Sequence, residues 1–248
     1  MLTDLKLLAA NSQWRIVFLF NILLLTAVVT RGSATMYYVN YVLLRPELVF
    51  AFIVSGMVAS LSGALLSERL LGKFDRVRAY QWTIISFVIF GALIFFIPPS
   101  QVWLIFGLNI VFSFIQNLTT PLQWTMFSDV VDYEEHRSGR RLDGLVFSTA
   151  LFAIKFGLAL GGAVVGWVLG MVDYAPGQAN QAPHVLATIN ALFTLIPCVL
   201  FLCMVALLAI YKLNSRLVDS IARELASKRD SRNDAGQLSP ATQSALQE

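Results

Sequence analysis

Six apolar runs, at 14–43, 48–70, 80–97, 102–127, 144–171 and 185–211, make up most of this chain. At a rise of about 1.5 Å per residue, each is long enough as a helix to cross a bilayer core of about 30 Å. The runs are too long for the core helices of an ordinary domain and too continuous for the alternation of an outer-membrane barrel, which leaves helices as the spanning structure. Composition agrees: 57% of residues are hydrophobic and 13% charged, with a mean hydropathy of +0.69. The expected fold class is an all-α membrane protein of six transmembrane helices, with an N-terminal segment at 1–13, the bundle at 14–212 and a polar, partly disordered tail at 213–248. No short apolar region with a small-residue cleavage site lies between Met1 and Arg15, so no signal peptide is expected and the first span serves as the insertion signal.

The connections alternate in charge. Arg69, Lys73, Arg76 and Arg78 follow run two, Arg137, Arg140 and Arg141 follow run four, and Lys212 and Arg216 follow run six, whereas the opposite connections hold only Arg45. Under the positive-inside rule both termini are cytoplasmic, and this topology accounts for the basic excess without nucleic acid. Cys198 and Cys203 stand five apart in one run, about 140° apart on a helix, which excludes a mutual disulfide and matches no metal spacing. His136 and His184 are far apart in connections, and there is no Gly-rich phosphate loop. No metal site and no enzymatic constellation is expected.

Polar groups inside the apolar runs carry the functional signal. Lys155 falls near the middle of run five, where a charge costs about 2.5–3.5 kcal/mol on insertion scales and so faces a partner or a watery cavity. Ser148, Gly162 and Gly166 lie within about 20° of it on a helical wheel. Together with the small-xxx-small spacings Gly157/Gly161 and Gly162/Gly166/Gly170, they mark this as the side turned toward protein; the alternative is a lysine that snorkels to an interface. Arg31 in run one accompanies a polar stripe of Thr26, Thr30, Ser33, Tyr37 and Asn40, and either lines a cavity or reaches the outer headgroups. In run four Asn109, Ser113, Gln116, Thr120 and Gln123 recur down one side beside Trp124, whose ring face suits sugar C–H surfaces. Such amides and hydroxyls either line a site for a neutral polar solute or serve as interhelical glue. Pro121 should kink the helix within this stripe.

Between runs four and five lies a charged connection, in which Arg137, Arg140 and Arg141 can pair with Asp129, Asp132, Glu134, Glu135 and Asp143 across helix ends. Exposed pairs worth about 0–1 kcal/mol each suit a latch that opens every cycle; the alternative is a solvated loop that only sets topology. Beyond Asn214 an amphipathic start (Leu217, Val218, Ile221, Leu225) is expected to lie along the inner surface, followed by a disordered end.

The stretch from Pro121 to Glu135, the Ser138-Gly-Arg-Arg-Leu-Asp-Gly144 that follows and the segment from Ser148 to Lys155 together resemble the glycoside–pentoside–hexuronide:cation symporters. These are the melibiose-carrier-like branch of the major facilitator superfamily. Asn11-Ser-Gln-Trp-Arg15, the run from Arg31 to Tyr41, and Gly170-Met-Val-Asp-Tyr174 extend the resemblance. It implies a multi-pass protein of a bacterial inner membrane and one half of a major-facilitator-type bundle, the second of two six-span halves. The implied function is sugar transport by cation-coupled symport. Lys155 matches the family's lysine of the eleventh helix and, with Arg31, is the coupling candidate. Asp129, Asp132, Tyr133 and Glu135 match the family's Asp-Tyr-Glu loop and, with Arg140, Arg141 and Asp143, form the candidate cytoplasmic gate. Asn109, Gln116, Thr120, Gln123 and Trp124 are the candidate substrate-lining residues. No cofactor is implied beyond a coupling cation, Na+ or H+, whose main ligands lie in the other half. The implied partners are a small-molecule sugar, the lipid bilayer, and a first-half bundle or a second copy of the chain.

The chain departs from the family at three points. Glu134 replaces a glycine, and the positions of the melibiose carrier's sugar-stacking tryptophan and of a threonine fall on Thr120 and Leu151, so a sugar other than melibiose is expected. The alternative function is a non-transporting subunit that assembles with another half.

Overall fold

The computed structural model describes residues 2–72, 74–178 and 180–228, and among these the chain is helical with no strand. A short helix α1 (Leu2–Ala9) leads into span one, α2 (Ser12–Tyr37), which closes in a π-helical turn at Tyr38–Val42. Span two is α3 (Val49–Leu71) and span three α4 (Arg76–Phe96). Two spans are each built from two helices, α5 (Val102–Leu118) with α6 (Thr120–Ser138) in span four and α8 (Pro183–Phe193) with α9 (Leu195–Ala209) in span six; span five is the unbroken α7 (Asp143–Met171). A last helix, α10, covers 215–228. Six segments are long and apolar enough to cross a membrane, one for each apolar run of the sequence. The chain is a multi-pass helical membrane protein.

Span one is the axis of the bundle. It packs along spans five and six, span three packs along span six, and span two lies along span four. Two apolar clusters fill the interior: one, toward the end with the arginine-rich connections (the basic end), includes Phe20, Tyr80, Phe87, Phe112 and Phe201, and the other, toward the far end, includes Tyr38, Phe52, Ile94 and Phe193. Close approach of span five to span one requires glycine. A Cβ on Gly157 would sit 2.8 Å from the Ile22 carbonyl oxygen, and one on Gly161 would sit 2.7 Å from Val29 Cβ. The same approach lets the Thr26 and Thr30 hydroxyls donate across to the carbonyls of Gly157 and Gly161, at 3.4 and 3.3 Å. Small residues that bring backbones together are the usual adhesive where lipid removes the hydrophobic drive between helices.

The second small-residue stripe behaves differently. Gly162, Gly166 and Gly170 have nothing within 4 Å of an added Cβ, and Lys155 on the same face is exposed. The sequence reading placed both stripes and the lysine toward protein. Among the described residues, of these glycines only Gly157 and Gly161 meet another helix, because they lie on the opposite side of α7 from Lys155.

At the basic end the charged stretch expected as a loop is mostly helix. α6 runs on through Asp129 and Glu135 to Ser138 and stops at Gly139, whose φ of 70° lets its N–H bond the Glu135 carbonyl at 2.8 Å. Nothing before Gly139 breaks the helix, and His136 and Arg137 in its last turn favour the negative end of the helix dipole. Asn11 caps span one: its Oδ1 accepts from the Gln13 and Trp14 amides, and its Nδ2 donates to the fully buried Glu134 at 2.7 Å. Gln13 accepts the Lys212 amide at 2.8 Å, and the Trp14 indole donates to the Thr149 hydroxyl at 3.1 Å. The Asn-Ser-Gln-Trp segment therefore ties span one to spans four, five and six.

α10, the amphipathic start of the tail, buries Val218, Ile221 and Leu225, and Val218 joins the apolar cluster at the basic end. Asp75 fixes its start by capping α4 through Oδ1 while Oδ2 accepts the Ser215 amide at 3.2 Å. Partial burial pushes the Asp75 carboxyl up, but the hydrogen bonds from Arg78, Ser215 and Val77 outweigh it and hold the group below the usual carboxylate range. The end expected to be disordered, 229–248, lies outside the described residues.

The two glycine stripes separate in a substitution test. Gly157→Ala and Gly161→Ala should each destabilise the purified chain by about 1–3 kcal/mol through overpacking, read as a fall in the midpoint of thermal unfolding in detergent. Gly162→Ala and Gly166→Ala should leave that midpoint unchanged; equal effects from the two pairs would contradict the packing described.

Candidate functional site: a polar cavity around Arg31

Arg31 is 5% exposed. Its Nη1 donates to the Phe193 carbonyl at 2.8 Å and its Nη2 to Asn109 Oδ1 at 3.2 Å, while the guanidinium carbon lies 4.0 Å from the ring centres of both Phe112 and Phe193. Local sequence explains the first bond. In a regular helix the Phe193 carbonyl would accept from the amide four residues on, but that residue is Pro197, which has no N–H. Span six breaks there, at Thr194 with φ −120° and ψ −67°. A carbonyl freed within a membrane has no water to turn to, and the guanidinium of span one supplies the missing donor. Arg31 is therefore turned into the bundle, among Phe112, Phe193 and Asn109.

Beside the guanidinium, between spans one, two and four, is a cavity of about 600 Å³. Its polar wall consists of Arg31, Thr35, Ser60, Asn109, Ser113, Gln116 and Asn117, and Phe52, Met57 and Phe112 contribute apolar surface. Gly56 keeps span two close at this level, since a Cβ there would meet Ser113 Oγ at 3.1 Å. Asn109 and Gln116 are both in this wall, where their amide groups border the cavity.

The rest of the expected stripe is not in that wall, because span four breaks at Thr119 just before Pro121. Carbonyls at the break are taken by the Thr119 hydroxyl, on Gln116 O at 2.9 Å, and by the Ser67 hydroxyl of span two, on Leu118 O at 2.5 Å. Beyond the break Thr120 is exposed and donates to Asn117 Oδ1 at 3.2 Å. Gln123 is buried and donates to Asn21 Oδ1 of span one, which makes it interhelical glue. Trp124 is 43% exposed, its ring tilted against Phe127. The kink expected at Pro121 is a full break of the helix at Thr119, and it ends the continuity of the stripe.

Lys155 forms no hydrogen bond or ion pair among the described residues and does not line this cavity. The candidate gate residues cluster at the basic end. Arg141 is clamped by three acids, with Nη1 at 3.2 Å from Asp132 and 2.8 Å from Glu135, and Nε at 2.8 Å from Asp143. The Glu135 hydrogen bond, then those of Asp143, raise its already high pKa. Arg140 reaches Asp4 of α1 at 2.6 Å, Asp129 is buried, and Tyr133 packs half-buried against the core. These bonds staple α6 to α7 and to α1. Sequence reasoning missed the Asn11–Glu134 bond and the Tyr41–Tyr174 hydroxyl bond at the far end, which is 2.9 Å long. The resemblance had marked the segments containing both tyrosines without joining them. Among the described residues no group of three or more His, Cys, Asp or Glu could hold a metal ion.

Membrane helices broken at prolines, beside a polar cavity, are a feature found in membrane transport proteins. The sequence profile of the MFS/sugar transport protein family matches residues 1–215, and the chain belongs to that family. Among its curated relatives is "Putative glycoside/cation symporter YagG" of Escherichia coli (strain K12), 51% identical over 232 residues, which cover 94% of this chain and 50% of that protein. "Inner membrane symporter YicJ" of the same organism is 36% identical over 225 residues, 90% of this chain and 49% of that protein. "Uncharacterized 29.9 kDa protein in crtE 3'region" of Pseudescherichia vulneris is 35% identical over 189 residues, 76% of this chain and 69% of that protein. The chain thus spans about half the length of YagG and of YicJ.

The bond from Arg31 to the proline-freed carbonyl can be isolated in a double-mutant cycle. Pro197→Ala returns an N–H to the Phe193 carbonyl, so Arg31→Gln should cost less stability in that background than in the wild type, with a coupling of about 1–3 kcal/mol. Chemical denaturation in detergent measures it, and additive costs would show that the carbonyl bond is incidental.

Proposed function

We propose that the chain works as the second six-span half of a cation-coupled sugar symporter, in an inner membrane with both termini cytoplasmic. The observation that carries this reading is the cavity between spans one, two and four, where Asn109, Ser113 and Gln116 offer amides and a hydroxyl to a solute within the thickness of the membrane. Membership of a sugar transport family and similarity to proteins named as symporters support it. In this reading a first-half bundle covers the open face of span five and supplies a carboxylate to Lys155. That pairing removes the cost of a lone ammonium in the membrane, and a second copy of this chain would not, because it brings another lysine. The coupling cation, Na+ or H+, is held mainly by acids of the first half. The cluster of Arg141 with Asp132, Glu135 and Asp143 keeps the inner ends of spans four and five together as the two halves rock about the cavity.

A second reading, a subunit that assembles without transporting, is favoured by one feature: among the described residues nothing lies within 4 Å of a Cβ added at Gly162, Gly166 or Gly170. Uptake of labelled glycosides, pentosides and hexuronides into proteoliposomes under a cation gradient separates the two. The chain alone should show no gradient-driven uptake, and adding a six-span first half of the same family should restore it. Lys155→Ala should then abolish coupled uptake while insertion is unchanged. Uptake by the chain alone would contradict the need for a second half, and none under either condition would leave the assembling subunit as the function.

A further inference from the structure

An amide side chain has two ends of opposite character, an oxygen that only accepts hydrogen bonds and an NH2 that only donates them. In the cavity wall one amide has its sense fixed from outside. Arg31 Nη2 can only donate, so the Asn109 atom 3.2 Å from it is Oδ1. The guanidinium cannot swing away to let that amide turn over, because Nη1 is bound to the Phe193 carbonyl at 2.8 Å and the rings of Phe112 and Phe193 lie 4.0 Å from its carbon. Asn109 Nδ2 is left at the other end. Among the described residues it has no hydrogen-bond partner, and it is not one of the unpartnered side-chain atoms that are sealed from solvent. It therefore opens onto the cavity that Asn109 lines. Gly56 of span two lines the same cavity, and a Cβ added there would stand 3.7 Å from Nδ2 and 3.1 Å from Ser113 Oγ, so the absence of a side chain leaves both atoms uncovered. Asn117 is not fixed in this way, since the Thr120 hydroxyl that meets its amide can donate or accept.

We infer that Arg31 acts on the solute through Asn109: by holding the amide in one sense it makes Asn109 Nδ2 a fixed donor, which reads one solute oxygen as an acceptor. This inference rests on the reading of the cavity as the solute site and deepens it by naming a specificity-determining residue, Asn109, and a positioning residue, Arg31. An amide free to turn over would serve a solute donor or a solute acceptor equally. The held amide serves only an acceptor, such as a hydroxyl, ether or ring oxygen, and leaves its own N–H unpaired against any group that cannot accept. Ser113 Oγ, about one helical turn on, can donate or accept and so adapts to a neighbouring hydroxyl.

Equilibrium binding to the full chain in lipid nanodiscs tests this with methyl β-glucoside and methyl β-xyloside, each compared with its monodeoxy and monodeoxyfluoro forms at every ring hydroxyl in turn. Fluorine takes the place of a hydroxyl and accepts without donating, whereas hydrogen does neither. At one position the wild type should bind the fluoro form about twofold to tenfold more tightly than the deoxy form. Asn109→Asp keeps an acceptor on Arg31 and turns a second acceptor toward the solute. At that position the order should therefore invert, the fluoro form binding more weakly than the deoxy form, while the thermal unfolding midpoint is not lowered. Arg31→Gln, made in the Pro197→Ala background so that the Phe193 carbonyl keeps a donor, releases the amide and should bring the fluoro and deoxy affinities together. Arg31→Lys, whose ammonium can only donate, should preserve the difference. A wild type that binds the parent glycosides but favours the fluoro form at no position overturns the fixed donor while leaving the cavity standing. An order unchanged in Asn109→Asp overturns the assignment to Asn109, and a difference that survives Arg31→Gln overturns its control by Arg31. Binding of neither parent glycoside overturns the cavity as a solute site, and this inference with it.

Discussion

Inside a bilayer a carbonyl that loses its helical partner has no water to replace it, and this chain creates such a carbonyl at Phe193 by placing Pro197 four residues on. Arg31 answers it from span one at 2.8 Å. Much of the far half of the bundle follows from that contact. It lets span six bend, it holds span six to the axial helix, and it fixes a charged fork against Asn109 of span four. The bend also brings Cys198 into the space that Gly91 of span three leaves empty. A cation that closes a backbone defect while bordering a polar cavity serves the fold and the site with one side chain. Its burial is tolerable because two aromatic faces and two oxygens surround it.

The number and position of the spans were legible in the sequence because length and apolarity leave membrane helices no alternative. Runs four and six also carried their prolines in plain view. What could not be read was how a break redirects side chains. On an unbroken helix Asn109, Gln116, Thr120 and Gln123 share a side; with the break at Thr119, the first two line a cavity while Gln123 turns to Asn21. Partners such as Asn21 and Glu134 stand more than a hundred residues from the groups they bond, and no local periodicity announces them. Arg31 was legible as unusual, and the freed carbonyl of Phe193 was legible from Pro197, but only the three-dimensional structure joins the two.

The glycines of span five carry a similar lesson. A helix with small residues on two opposite sides offers two close-packing faces, and the sequence does not say which one this chain fills. Gly157 and Gly161 meet span one, whereas Gly162, Gly166 and Gly170 stand open beside Lys155. The fold therefore divides span five into a side that builds this bundle and a side available to something else. In the proposed carrier that second side faces the other half across the solute path.

The account's central claim is that the Lys155 face borders water and a second half, not lipid. Substituted-cysteine labelling tests it most directly: Gly162→Cys, in a chain whose exposed Cys203 is replaced by serine, is co-assembled with a first-half bundle and treated with a charged, membrane-impermeant thiol reagent. The account predicts rapid labelling that slows when sugar is bound. Labelling only by a lipophilic maleimide, with or without the other half, would make this face a lipid contact and contradict the proposed architecture.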